Sequence, residues 1–210
     1  MKLYGFPPSP NTWKVRAVAA HLGIPLELEF VDLSKGASHS PEYLAINPTG
    51  RTPTLVDGDL KLWESTAIMH YLAGQKANTL FPSGPIRADI LRWQSWSLVH
   101  WNKEGCEPLL FQRLVKKLMN LGPPDEAAVA KGLECFNKEA KVLDAHLTKQ
   151  PYLTGKDVTL ADFSVAAPLF YAKDCDMPLG PYPHIQQWFG RVSALPCWRE
   201  TAPQRPAAAA

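Results

Sequence analysis

The hydrophobic period changes partway along this chain, and that change constrains the fold more than any single residue does. From residue 3 to residue 75, short strand-length apolar runs alternate with stripes of helical period; from residue 86 onward only the helical period recurs. Residues 3–6 read as a strand stopped by Pro7 and Pro8. A helix then opens at Ser9 and Pro10, a hydroxyl N-cap followed by proline in the first turn. Val15, Val18, Ala19 and Leu22 make one apolar stripe on it, and Gly23 closes it. Residues 26–31 alternate apolar side chains with Glu27 and Glu29, as a strand with one wet face does. Pro41 opens a helical turn through Tyr43, Leu44 and Ile46. Residues 52–56, then Asp57 and Gly58, then Leu60–Trp63 predict a hairpin, and Ser65 opens a helix with Ile68, Met69 and Leu72 on one face. The order is βαβαββα, a small α/β domain with a mixed sheet over residues 1–76.

Pro82, Gly84 and Pro85 place a linker at 77–85. Beyond it Ile90, Leu91, Trp93, Trp96, Ser97 and Trp101 have helical spacing, and Pro108 is expected to bend or break this helix before it resumes over 109–119. Gly122, Pro123 and Pro124 form a loop. Residues 125–148 are helical, with Val129, Leu133, Phe136, Ala140, Leu143 and Leu147 as the stripe. The pattern predicts an all-α domain over 86–201 and a tail, 202–210, that frays for want of anything to pack.

Composition excludes several functions. Net charge is +2, from 22 Lys+Arg against 20 Asp+Glu, and the only adjacent basic pair is Lys116 and Lys117, which argues against nucleic-acid binding. The six histidines are scattered and the four cysteines, at 106, 135, 175 and 197, lack zinc or disulfide-framework spacing, so no metal site is expected and the thiols should be reduced. No apolar run is long enough to span a bilayer, and Met1 and Lys2 lead straight into the first strand, leaving no room for a signal peptide. A soluble, cytoplasmic protein is the expectation. Neither G-x-G-x-x-G nor a P-loop occurs.

Four local features carry the functional reading: residues 4–9 (Tyr-Gly-Phe-Pro-Pro-Ser) leading into a helix; residues 47–53 (Asn-Pro-Thr-Gly-Arg-Thr-Pro); Glu64 and Ser65 at the next helix start; and Gly155 followed by Thr159, Leu160, Ala161, Asp162 and Phe163. In this order the sequence resembles the soluble glutathione transferases over nearly its whole length. Ser9, the Lys35-Gly36-x-x-His39 stretch and residues 57–62 resemble the serine-type, phi-like class of plants and bacteria. The resemblance implies a thioredoxin-like domain followed by a helical bundle, which agrees with the element order. It also implies glutathione as co-substrate, a detoxification role and a homodimer.

The chemistry can be argued residue by residue. A thiol must ionise to attack an electrophile, and each unit by which its pKa falls is worth about 1.4 kcal/mol. A hydroxyl at a helix N-terminus suits the thiolate, donating a hydrogen bond where the helix dipole is positive. Ser9 holds such a place. The resemblance assigns it this catalytic role; on the residues alone a plain helix cap is the favoured reading, and Asn11 or Thr12 could share or take the role. The resemblance makes the Thr52–Pro53 bond cis, offering the Thr52 backbone to the cysteinyl unit of glutathione. Ser65 and the helix N–H groups suit the γ-glutamyl carboxylate, and Glu64 its ammonium. Arg51 is either a further carboxylate ligand or a solvated side chain. Lys35 and His39 lie in the segment that meets the glycyl carboxylate, with Ser38 where the phi-like pattern prefers a second basic or imidazole side chain. Trp96, His100, Trp101 and Phe111, with Asn11 and Thr12, are the candidates for the second-substrate pocket. An aromatic stripe of helical spacing is more often core or dimer interface than pocket wall. Thr159 and Asp162 form a capping box, read as structural.

Two functions compete. One is an enzyme that joins glutathione to small electrophilic, mostly apolar substrates, with glutathione-dependent peroxidase or dehalogenase side activities. The other is a non-catalytic glutathione- or ligand-binding member with a carrier or regulatory role, against which Ser9, Thr52, Pro53, Glu64 and Ser65 all argue. No cysteine lies near Ser9, as the thiol-transfer classes of the family require, and the Ser-Ser-Cys or Ser-Ser-Ser stretch of maleylacetoacetate isomerases is missing.

Overall fold

The computed structural model describes residues 1–203. They form two compact units, one of residues 1–78 together with 195 onward, the other of 79–194.

The first unit is built on a four-stranded sheet of β1 (Lys2–Gly5), β2 (Glu27–Phe30), β3 (Thr54–Asp57) and β4 (Leu60–Trp63), in the order β2-β1-β3-β4. Helix α1 (Pro10–His21) carries the chain from β1 to its parallel neighbour β2, since parallel strands need a crossover. Strands β1 and β3, and β3 and β4, are antiparallel. Asp57 pairs with Leu60, so the hairpin turn is made by Gly58 and Asp59 and Asp57 stays in the strand. The sequence-predicted stripe of α1 is buried, as are Leu3 and Leu55 in the central strands. The edge strands carry the exposed apolar side chains, Phe30 and Trp63. A short helix α2 (Pro41–Leu44), capped by Ser40, and helix α3 (Ser65–Gly74), packed against α1, complete the expected order.

One element changes sides. Helix α10 (Pro196–Glu200) belongs to this first unit, whereas the sequence pattern carries the helical domain on to 201. The reason is aromatic: Trp198 packs on Trp13 with ring centroids 4.1 Å apart, and the Trp13 indole N–H donates to the Thr201 hydroxyl at 3.1 Å. Pro203 is buried, so the chain does not fray from residue 202; the remainder of the expected tail, 204–210, lies outside the described residues.

The second unit is helical. Helices α4 (Pro85–Trp96), α5 (Glu107–Leu110) and α6 (Lys116–Leu118) are joined by π-helical stretches at Ser97–Cys106 and Phe111–Val115 into one uninterrupted run. Pro108 therefore does not break the helix. The wider π turns ahead of it relieve the clash between its ring and the carbonyl one turn back, and Glu107 keeps helical angles (φ −61°, ψ −43°). Helix α7 (Glu126–Leu147), capped by Asp125, packs closely against this run: a β-carbon on Gly105 would lie 3.2 Å from the Phe136 backbone, tighter than an ordinary contact, so a larger residue there would push the helices apart by a few tenths of an ångström. Helices α8 (Leu160–Ala166) and α9 (Pro183–Ser193) close the bundle, and its only β feature among the described residues is the isolated Tyr152–Gly155 bridge.

The Thr159–Asp162 pair forms at the start of α8: the Thr159 N–H donates to Asp162 Oδ2 at 2.8 Å and its hydroxyl to the same oxygen at 3.2 Å. Thr159→Ala is expected to cost about 1 kcal/mol of stability, read by denaturant unfolding, while leaving turnover per folded molecule unchanged. The four cysteines are free. No helix among the described residues is long and apolar enough to cross a membrane.

Candidate functional site

The site grows from two helix starts and one loop of the first unit. Ser9 precedes α1 in extended conformation (φ −68°, ψ 127°), and its side chain makes no capping hydrogen bond. Its carbonyl accepts from the Trp13 N–H at 2.9 Å, so the backbone caps the helix and leaves the hydroxyl uncommitted. Pro10 has no N–H, and the N–H groups of Asn11 and Thr12 are first-turn orphans at the positive end of the helix.

Asn47 organises the loop from residue 47 to 53. Its side-chain amide donates to the Arg51 carbonyl at 2.7 Å and to Thr54 Oγ1 at 2.9 Å, while its Oδ1 accepts from both the N–H and the hydroxyl of Thr49. The buried Tyr43 hydroxyl donates to the same Arg51 carbonyl at 2.6 Å; burial pushes this phenol up, which keeps it a donor. Gly50 (φ +64°) turns the loop where a β-carbon would come within 3.0 Å of His39 Nε2. The loop ends in a cis Thr52–Pro53 peptide, and neither backbone group of Thr52 enters a turn or loop hydrogen bond among the described residues. The Arg51 side chain has no hydrogen-bond or ion-pair partner there.

Strand β4 runs directly into α3 through Glu64, whose backbone is left-handed at φ 69°, ψ 112°. A glutamate in that region is strained, and such outliers persist only where the surroundings enforce them. The next residue, Ser65, is buried and donates to Asn11 Oδ1 at 3.3 Å, tying the start of α3 to the start of α1.

These parts meet in one cavity of about 110 Å³ lined by Asn11, Asn47, Thr49, Arg51, Thr52, Pro53, Glu64 and Ser65. Five of the sequence-predicted glutathione residues share it, with an acid, a base and a helix N-terminus together. A volume this small holds one charged end of a peptide-sized ligand, since whole small-molecule sites run to about 300 Å³ and more. Asn11 belongs here. Asn47 and Thr49 were not among the expected ligands; the Asn-Pro-x-Gly sequence, a turn signal, was the available hint.

Other expected residues fall elsewhere. Thr12 is fully buried, its methyl carbon against Gly5 where a β-carbon would come within 2.5 Å, so it can neither meet a thiolate nor line a pocket. Trp101 is also sealed: its indole N–H donates to the Val165 carbonyl at 3.0 Å inside the helical unit, so it is core and not pocket wall. Trp96 stacks on Trp101 and donates to Glu139 Oε2 at 2.8 Å. His100 is exposed beside Glu104, and Phe111 is exposed. His39 and Ser9 do not line the cavity; His39 is exposed, with Nδ1 3.1 Å from Ser38 Oγ. Lys35 points to solvent and pairs with Asp32.

A thioredoxin-like sheet domain with this cavity, followed in sequence by an all-α unit, defines a two-domain protein of the transferase fold. The chain belongs to the glutathione S-transferase family. Residues 1–74 match the model of the glutathione S-transferase N-terminal domain and residues 106–196 that of the C-terminal domain. The chain is 38% identical to glutathione S-transferase 3 of Zea mays over 208 residues, covering 96% of this chain and 92% of the relative. It is 36% identical to the probable glutathione S-transferase GSTF2 of Oryza sativa subsp. japonica, covering 96% and 95%. The crystal structure of glutathione transferase F7 from Populus trichocarpa superposes with a TM-score of 0.88 at 28% identity, over 95% of this chain and 96% of that one. A glutathione S-transferase-I structure with bound lactoylglutathione superposes at 0.86 and 29% identity, over 96% and 97%. These relatives place the chain with the plant phi class.

Proposed function

We propose that this protein conjugates glutathione to small electrophilic, mostly apolar molecules, with Ser9 as the thiolate donor and the Arg51–Ser65 cavity as the seat of the γ-glutamyl end. The observation that carries this reading is the meeting of Arg51, Thr52, Pro53, Glu64 and Ser65 on one cavity. The γ-glutamyl group is a zwitterion. Its carboxylate is matched by the Ser65 hydroxyl, the first-turn N–H groups of α3 and the Arg51 guanidinium, and its ammonium by the Glu64 carboxylate. The free backbone groups of Thr52 suit the cysteinyl peptide unit. From there the thiol extends toward the uncommitted Ser9 hydroxyl, where a thiolate is held by a charge-assisted hydrogen bond and the dipole of α1. Catalysis is then thiolate stabilisation together with the positioning of two substrates. His39, next to the 47–53 loop, is the candidate for the glycyl carboxylate.

A homodimer working in the cytoplasm in detoxification, with no metal, is the setting this reading carries with it. The carrier alternative requires no ionised thiol, so two measurements separate them. Calorimetric titration with glutathione is expected to give one site per chain, and an aryl halide incubated with glutathione and protein is expected to yield the thioether. Binding without thioether formation, across a panel of electrophiles, favours the carrier; no binding of glutathione removes the transferase reading and leaves only a carrier of some other ligand.

A further inference from the structure

Helix α1 buries a lysine. Lys14 is only 4% exposed, among Thr12, Trp13, Val15 and Ala17 on a helix covered nearly all round, and its ammonium has no hydrogen-bond or ion-pair partner among the described residues. Such a group is costly, since an ion taken from water needs compensation. An apolar side chain of the same length would fill the place without that cost, which points to a use for the charge.

Position tells what the use is. Asn11, one turn earlier on the same helix face, lines the cavity and accepts from Ser65. Lys14 therefore belongs to the helix that packs on α3 and is tied to the start of α3 one turn earlier, through Asn11 and Ser65. The charge that acts on it is the Glu64 carboxylate: burial lowers the ammonium to about 8, and Glu64 opposes that shift. Glu64 is in turn the residue with the strained backbone (φ 69°), so its conformation needs support from its surroundings.

We propose that Lys14 is a positioning residue for glutathione binding: its buried ammonium attracts the Glu64 carboxylate across the α1–α3 contact and holds it where it receives the ammonium of the γ-glutamyl group. This rests on the reading of the cavity given above. Lys14 touches no substrate; it acts through Glu64.

The test compares wild type, Lys14→Met, Glu64→Gln and the double variant in calorimetric binding of glutathione and of its analogue lacking the γ-glutamyl amino group, with thermal melting and steady-state kinetics alongside. For Lys14→Met, the expected result is glutathione Kd and KM raised about tenfold, with kcat within about twofold and Tm unchanged or higher. Affinity for the desamino analogue should not change, and Lys14→Met should have no further effect in the Glu64→Gln background. Equal weakening of both ligands, additivity with Glu64→Gln, or a fall in Tm with unaltered Kd each overturn the proposal. If Lys14→Met does not fold, Lys14→Gln, of similar length and uncharged, is read by the same criteria. A wild type that binds the desamino analogue as tightly as glutathione removes the role of Glu64 and of Lys14 with it, leaving the transferase reading standing. A wild type that binds neither ligand removes that reading itself.

Discussion

Ser9→Ala is expected to return the thiol of bound glutathione toward its solution pKa by about one to two units, the equivalent of one charge-assisted hydrogen bond of about 1.5–3 kcal/mol. At neutral pH the thiolate fraction falls with it, so kcat/KM should drop about 10- to 100-fold while the Kd for glutathione changes little. The sign follows from which form the hydroxyl stabilises. It donates to the anion, so its removal raises the pKa and moves the rate profile to higher pH. Thiolate ultraviolet absorbance across pH, with wild type and variant saturated in glutathione, measures this directly. An unchanged thiol pKa would transfer the role to Asn11 or to the first-turn N–H groups of α1. Thr12 is no longer a contender, because its hydroxyl is buried beneath the sheet domain's first strand.

The largest stability effect is expected at Asp162. Its fully buried carboxylate accepts from the Leu153 N–H at 2.9 Å, the Trp188 indole at 2.8 Å, and both the N–H and the hydroxyl of Thr159. Burial raises its pKa and these donors oppose the rise. Asp162→Ala takes the acceptor from the Leu153 and Thr159 N–H groups and the Trp188 indole in a dry place, at about 1–3 kcal/mol for each that stays unsatisfied, while the Thr159 hydroxyl keeps Thr154 Oγ1 at 3.0 Å. Part of that is offset because a desolvated charge is removed, and the net loss expected is about 3–5 kcal/mol. Guanidinium unfolding of the variant reads it. A loss below about 1 kcal/mol would mean that water or relaxation re-satisfies these groups and that the carboxylate is no structural centre. The milder Thr159→Ala removes one donor and leaves the carboxylate with three.

Much of this molecule was legible in its sequence because local chemistry and tertiary structure agree. The α1 stripe, the hairpin and the capping box each depend on neighbours within a few residues; the stripe and the box are found where their patterns put them, and the hairpin turn lies one residue further on, at Gly58 and Asp59. The five residues Arg51, Thr52, Pro53, Glu64 and Ser65 were singled out by the family resemblance, and because they lie in two short segments topology had only one join to make to bring them to one cavity. What escaped depends on long-range packing. Trp96 and Trp101 have the same spacing that a pocket wall or a core would have, and only the Val165 carbonyl and the Glu139 carboxylate decide between them. Asn47 looked like part of a turn, although its amide is the brace of the 47–53 loop. Pro108 carried a strong local rule, and the chain met it by widening its turns instead of breaking. The burial of Lys14 has no local signature, because it follows from the packing of other elements over most of α1.

The return of residues 195–203 to the first unit has a consequence for the order of assembly. On a ribosome the sheet and its helices emerge early, but the aromatic lid over Trp13 is encoded almost two hundred residues later. Until Trp198 and Thr201 leave the exit tunnel, a large indole stays uncovered and its N–H is without the acceptor it has in the finished fold. The domain that emerges first is therefore completed last, and a chain that stops short of its final helix leaves that domain unfinished although every residue of the helical unit is present.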